Sequence, residues 1–308
     1  MIAYPQIDPI VIAFGPVAIR WYALCYLGAF GFAYWFGMRR ARRPGSGWSG
    51  EQVSDLIFYG ALGVVLGGRV GYVLFYGLDR LLDDPLFLFK IWEGGMSFHG
   101  GFLGVILASW IFARQTRRTW FAVTDFVAPL IPIGLGFGRI GNFINGELKG
   151  RITEVPWAFV YPGEDVGRHA SSLYQAFLEG VVLFVVVAWF IARPRPEKAA
   201  SGVFLIGYGT LRCISELFRE PDAHMGFIAF DWLTMGQLLS APMLVLGIFL
   251  LYLAYVERGP GEMRMMPEPA TDATAENDAK GKRSPRAERS RRSERGRRRN
   301  RKKQARKK

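Results

Sequence analysis

Five ionisable residues stand inside stretches too apolar to hold them cheaply: Arg69, His99, Arg139, Arg212 and Glu216. A charge in such surroundings costs several kcal/mol, so each marks a candidate site. The planar fork of arginine binds two phosphate oxygens at once, and histidine titrates near neutral pH. Three arginines and one histidine therefore point to recognition of a phosphate with a general base at hand. Plainer roles stay open. Arg212 and Glu216 are four apart and are spaced to pair on one helix face. Arg69 has the reach to snorkel or to cap a neighbouring helix end. An intramembrane histidine also serves as a helix-to-helix hydrogen bond, although the glycines of Ser97-Phe98-His99-Gly100-Gly101 leave open space around this one. Asp125 reads as a charge at a helix N-terminus.

The elements that carry these residues read as membrane helices. Half the chain is apolar, 15% is aromatic, and 37 glycines are spread through long apolar runs. Seven runs approach the roughly 17–25 residues that cross a bilayer as helix. They are Val17–Gly37, Ser54–Leu78, Gly95–Ala113, Trp120–Asn145, Ser172–Ala192, Gly202–Phe218 and Met235–Val256. Basic residues follow every second run: Arg39, Arg40, Arg42 and Arg43; Arg114, Arg117 and Arg118; Arg193, Arg195 and Lys198; then the tail. Cytoplasmic loops collect such residues, so the N-terminus is expected outside and the C-terminus in the cytoplasm. Met1–Ile19 has no basic residue, so the first run is expected to stay as an anchor rather than leave as a signal peptide. The expectation is an all-α membrane protein, a bundle of seven transmembrane helices. Glycines three and four apart in the second and fourth runs suit close helix packing, and Pro129 and Pro132 in the fourth free backbone groups that the bundle must satisfy.

On this orientation His99 falls about one helical turn below the outer surface and Arg139 about two. Arg69 and Arg212 also fall in the outer halves of their runs. A proton relay would spread its charges through the membrane, whereas four at one level suit an anionic headgroup in the outer leaflet.

The formal charge is +13. Residues 257–308 hold 19 Lys/Arg against 8 Asp/Glu, which is +11, and leave +2 for residues 1–256. The domain reading follows: 1–256 is a transmembrane catalytic domain and 257–308 a basic cytoplasmic tail, too polar to fold alone. The tail suits an anionic membrane surface, and a pI near 10.0 is no ground for expecting a nucleic-acid partner. Cys25 and Cys213, far apart in apolar stretches, build neither a disulfide framework nor a metal site.

The run Gly138-Arg139-Ile140-Gly141-Asn142-Phe143-Ile144-Asn145-Gly146-Glu147-Leu148-Lys149-Gly150-Arg151 resembles the signature of the prolipoprotein diacylglyceryl transferases. The resemblance extends in order over roughly residues 8–256. It takes in Arg20-Trp21-Tyr22, Gly67-Gly68-Arg69-Val70-Gly71-Tyr72, Gly94–Gly101, Tyr208–Arg212, Glu216–Asp222 and Met235-Gly236-Gln237. It implies a bacterial inner-membrane enzyme with its site toward the outer leaflet. Such an enzyme moves the diacylglyceryl group of phosphatidylglycerol to the lipobox cysteine of a prolipoprotein and releases glycerol phosphate. By position it implies Arg139 and Asn142 as essential residues, with Glu147 and Gly150 beside them, and His99 as the base. Tyr22, Tyr208, Arg212 and Glu216 match further functional positions, and Arg69 matches by motif. The catalytic set is then His99, Arg139, Arg212 and Tyr22, and the lipid-binding set Arg139, Asn142, Arg69, Glu147, Gly150, Tyr208 and Glu216. No metal or other cofactor is implied, because the phospholipid is itself the activated donor. The family's His-Pro-Ser-Gln-Leu-Tyr-Glu block stands here as His169-Ala170-Ser171-Ser172-Leu173-Tyr174-Gln175, so no role carries over to it, and the external segment Ile152–Arg168 is short. Two other classes use intramembrane arginines or a lipoprotein partner: a transporter of an anionic lipid or solute, which would favour inverted repeats and midplane charges, and a scaffold without chemistry, which would tolerate loss of the polar residues.

Overall fold

The computed structural model describes residues 1–15, 17–221, 226, 228–230 and 232–256. The tail 257–308, and Asp222 of the matched blocks, lie outside the described residues. Three short strands, β1 (Ile2–Ala3) and the hairpin of β2 (Ile10–Phe14) and β3 (Val17–Arg20), precede the first long helix, α1 (Trp21–Ala41). The first apolar run therefore begins as strand: Val17 pairs with Phe14 and Arg20 with Ile10, and helix starts only at Trp21. α1 ends with Arg39 and Arg40 in its last turn, where cations face the negative end of the helix dipole.

α2 (Gly50–Tyr76) opens on a reciprocal cap, with Gln52 N donating to Ser49 Oγ at 3.1 Å and Ser49 N to Gln52 Oε1 at 3.2 Å. A short helix, α3 (Leu78–Asp83), and two 3₁₀ turns, Pro85–Phe89 and Ile91–Glu93, lead to α4 (Phe98–Gln115), capped by Ser97. The fourth apolar run bends where its prolines sit: α5 (Trp120–Val127) passes through a 3₁₀ turn, Ala128–Leu130, into α6 (Ile131–Ile144). β4 (Phe159–Val160) joins β1 in parallel and β5 (Gly167–Arg168) antiparallel, giving the order β1-β4-β5. The fifth run is α7 (Ser171–Gln175), a π-helical segment Ala176–Val182, and α8 (Leu183–Phe190). α9 (Ala199–Glu216) and α10 (Met235–Val256) complete the described residues.

The protein is mostly helical, and four of its helical segments are long and apolar enough to cross a membrane: Gly50–Tyr76, Trp120–Ile144, Ser171–Phe190 and Met235–Val256. In α9 the apolar character is diluted by Ser201, Thr210, Arg212, Ser215 and Glu216, most of them buried. Large apolar side chains such as Phe58, Leu66, Phe75, Leu103, Trp189 and Phe249 point outward, which suits lipid and would be a liability in water. The dry core lies at one end, where the α1 C-terminus, the α2 N-terminus, the α4 C-terminus and α5 meet in Phe36, Val53, Leu56, Phe112, Val123 and Phe126. At the same end Asp125 caps α9 rather than its own helix, accepting from Lys198 N at 2.7 Å and Ser201 N at 2.8 Å.

α2 and α4 meet along a glycine seam. A methyl group at Gly63 would lie 2.6 Å from the Gly104 carbonyl oxygen, and one at Gly71 would lie 2.7 Å from Gly100 Cα. The glycines of the second run thus let two backbones touch. Gly60 and Gly138 meet nothing within 4 Å, so spacing alone does not separate contact glycines from idle ones.

Candidate functional site

The end opposite the dry core is polar. Arg139 and Asn142 stand three apart in the last turns of α6, with Arg139 Nη1 3.4 Å from Asn142 Oδ1. The helix stops at Ile144, whose carbonyl accepts from Tyr4 Oη at 3.2 Å. The chain then turns through left-handed backbone at Gly146 (φ 70°) and Leu148 (φ 56°), which swings Glu147 back over the helix end. Its carboxylate accepts from Asn142 Nδ2 at 2.7 Å and Asn145 Nδ2 at 3.1 Å. Ser172 of α7 donates to the Glu147 carbonyl at 3.1 Å, and Ser171 donates to that of Leu148. The signature is therefore a helix end folded onto a turn and locked by α7.

The facing wall comes from α9 and the π-helical segment. Arg212 donates to Glu216, one turn on, and to Glu179 Oε1 at 3.2 Å. Glu179, with no exposed surface, also accepts from Ser215 Oγ at 3.0 Å, and its second oxygen lies 3.8 Å from Arg139 Nε. One buried carboxylate thus bridges the two arginines. Glu216 accepts further from Arg219 at 3.3 Å and Thr234 at 2.9 Å. A methyl group at Gly236 would lie 2.6 Å from that carboxyl, which is why the helix start after Thr234 admits only glycine there.

The two arginines differ. Arg212 is held by two carboxylates and its side chain is 9% exposed; Arg139 has only long contacts and is 23% exposed. Tyr208 lies within electrostatic reach of both and of Glu179. Tyr22, in the first turn of α1, sits against Gly141 and within reach of Arg139 and Glu147. Arg139, Arg212, Glu216, Asn142, Glu147, Tyr22 and Tyr208 accordingly form one group.

Arg69 and His99 belong to a different neighbourhood. Arg69 is buried, and its fork is filled by backbone carbonyls: Phe87, Leu88 at 3.1 Å, Gly94, and Gly95 at 3.3 Å. It braces the loop between α3 and α4. His99, on the first turn of α4, is exposed and stacks edge-on against Phe98. Among the described residues, no hydrogen bond or ion pair joins either side chain to the Arg139–Arg212 group. Gly150 works through its backbone, with its N–H on the His169 carbonyl at 3.1 Å and its own carbonyl accepting from Arg168 at 3.2 Å; any side chain would strike His169. His169 packs on Phe218 and lies 3.2 Å from Tyr174 Oη, and burial pushes its pKa down. Among the described residues no group of three His, Cys, Asp or Glu is placed to hold a metal.

The family model for prolipoprotein diacylglyceryl transferase matches residues 9–253. The chain belongs to that family. Among curated relatives, a phosphatidylglycerol–prolipoprotein diacylglyceryl transferase of Vibrio campbellii is 58% identical over 253 residues, covering 82% of this chain and 92% of the relative. Proteins of the same name from Vibrio parahaemolyticus (59%; 82% and 92%) and Photobacterium profundum (57%; 82% and 96%) match similarly.

Within this diacylglyceryl transferase, the sequence reading passed over Glu179. Its signal was available, a single acid inside the apolar stretch Ala176-Phe177-Leu178-Glu179-Gly180-Val181-Val182. Ser215 and Thr234 carried no signal, because their importance lies in what they touch. Multi-pass membrane character follows from the family and the apolar helices together.

Proposed function

We propose that this chain transfers the diacylglyceryl group of phosphatidylglycerol to the lipobox cysteine of prolipoproteins, the first step of lipoprotein maturation. One observation carries the reading: two arginines from different helices, linked by a buried carboxylate, in a chain of this family. The cysteine thiolate attacks the glycerol carbon that bears the phosphate. The S–C bond forms, the C–O bond to phosphate breaks, and glycerol phosphate leaves with the electron pair. Charge grows on that phosphate, where fixed cations lower the barrier most. Arg139, loosely held, engages the phosphate oxygens, and Arg212 supplies a fixed positive field. Asn142, Glu147 and Tyr22 orient the headgroup, with Tyr208 and Glu216 behind the arginines. Arg69 and Gly150 act by shaping loops around the lipid.

The thiol proton, near pKa 8.5 when free, needs an acceptor. His99 is the proposed base, supported by its exposed imidazole on α4. Seven long helical segments coincide with the seven apolar runs, which supports seven spans with the N-terminus outside in the bacterial inner membrane. The alternation of basic loops supports a cytoplasmic C-terminus and an outer-leaflet site. Residues 257–308 form a separate tail that holds to anionic lipid, and neither nucleic acid nor a cofactor enters the reaction.

The test is direct. Purified protein is incubated with phosphatidylglycerol and a lipobox peptide, and the diacylglyceryl thioether is sought by mass. No product, where a relative yields it, overturns the function. His99→Gln is expected to lower kcat by about 10²-fold or more; an unchanged kcat removes His99 as base and leaves the function standing.

A further inference from the structure

Gln175 is fully buried, yet neither its amide nitrogen nor its amide oxygen has a hydrogen-bond partner among the described residues. Native interiors seldom leave a polar side chain unsatisfied on both atoms, and each such group asks for an explanation. Its surroundings supply one. Ser171, Gln175 and Glu179 recur at four-residue spacing, all without exposed surface, so they form one buried stripe on the fifth helical segment. The residues on either side of Gln175 in that stripe both face the site. Ser171 donates to the Leu148 carbonyl of the signature turn, and Glu179 bridges Arg212 and Arg139. α7 packs between α6, which brings Arg139 and Asn142, and α9, which brings Arg212. The orphan amide is thus bracketed by the groups that would hold the lipid phosphate.

We infer that Gln175 reads the hydroxyls of the phosphatidylglycerol headgroup and so determines which phospholipid the site accepts. The inference rests on the transferase reading above. An amide presents a donor and an acceptor side by side. A phosphate oxygen only accepts, and an ammonium headgroup only donates; each would leave half of the amide unpaired. A hydroxyl does both and satisfies the whole side chain. Reach agrees with this. Gln175 stands four residues, about one helical turn, from Glu179 and its contact with Arg139. The three-carbon headgroup spans a comparable distance from its phosphorus. Sites built to hydrogen-bond a substrate hydroxyl reject analogues that lack it, because their own polar groups are then left unpaired.

The experiment compares phosphatidylglycerol with phosphatidylpropanol, which has the same headgroup length and no hydroxyls, in identical mixed micelles with a lipobox peptide. Wild type should prefer phosphatidylglycerol by roughly 10-fold or more in kcat/KM. Gln175→Met, of similar length and without hydrogen-bonding groups, should lose that preference through a raised KM for phosphatidylglycerol while its rate with phosphatidylpropanol holds. If both donors slow together at an unchanged thermal midpoint, Gln175 has a packing role and the inference fails. If neither slows, the amide meets a buried water and the inference also fails. Equal use of the two donors by wild type overturns it without any variant. Should Gln175→Met not fold, Gln175→Asn carries the test: it draws the amide back by one carbon, so its preference must fall below that of wild type, and an unchanged preference overturns the proposal. Absence of thioether from wild type with phosphatidylglycerol would instead strike the transferase reading itself.

Discussion

Arg212 is gripped by Glu179 and Glu216, whereas Arg139 meets Asn142 at 3.4 Å and Glu179 at 3.8 Å. That difference separates the consequences of changing each residue. Arg139→Lys keeps the charge and loses the fork, so kcat/KM for phosphatidylglycerol is expected to fall by about 10²-fold or more at an unchanged melting midpoint. Glu179→Gln removes the shared counter-ion from buried Arg212 and half-buried Arg139. Breaking a buried pair in this way costs about 3–5 kcal/mol, so the midpoint in detergent should drop with the rate. Parallel thermal scans and rate measurements check both, and the reverse pattern would exchange the roles assigned to the two residues. At this scale the sequence exposed Arg139, Arg212 and Glu216 by the incongruity of charge in an apolar run. It left no trace of which partner each one takes, because partners come from other helices.

Two elements act as more than carriers. The α2–α4 seam needs glycine on both sides, so Gly104→Val should separate the helices and cost about 1–3 kcal/mol or more of stability. Gly60→Ala, in open space, should be neutral or slightly stabilising by helix propensity. Thermal unfolding of the two variants measures the contrast, and equal effects would mean the seam does not hold the pair together. The segment after α6 is braced differently. Lys149 and Arg168 hold the Glu164 carboxyl below its ordinary pKa, and the same pairing raises that of Arg168. A carboxyl depressed in the fold contributes stability that is present above its unfolded pKa of about 4.3 and lost as pH falls through the folded value. Hydrogen exchange in residues 150–168 should therefore quicken below about pH 4, and Glu164→Gln should remove that dependence. Pro129 and Pro132, which interrupt the fourth run at the 3₁₀ turn between α5 and α6, were legible in sequence, being local chemistry. The strand at Val17–Arg20 was not, since Val17-Ala18-Ile19-Arg20 at the head of an apolar run looks like helix until Ile10–Phe14 pairs with it.

Among the described residues, large apolar side chains point outward, and the Arg139–Arg212 group lies at the end opposite the core of Phe36, Phe112, Val123 and Phe126. The proposed site therefore lies at the end of the helices away from that core. The family match stops at residue 253, and the basic excess lies beyond it. Removal of 257–308 is expected to leave the rate of thioether formation unchanged; a large loss would bring the tail into the reaction.

Membrane character, the family and the candidate arginines follow from the sequence alone, because they rest on composition, on hydropathy along one chain and on a contiguous signature. Tertiary structure decided which of those residues act together. Arg69 and Arg139 look alike as intramembrane cations, yet one is consumed by the carbonyls of residues 87–95 and the other keeps its fork accessible. Glu179 and Gln175 gain their meaning only when α6, α7 and α9 are brought side by side. The physical reason is that the energy of a buried polar group depends on what surrounds it in space, and residues distant along the chain supply those surroundings.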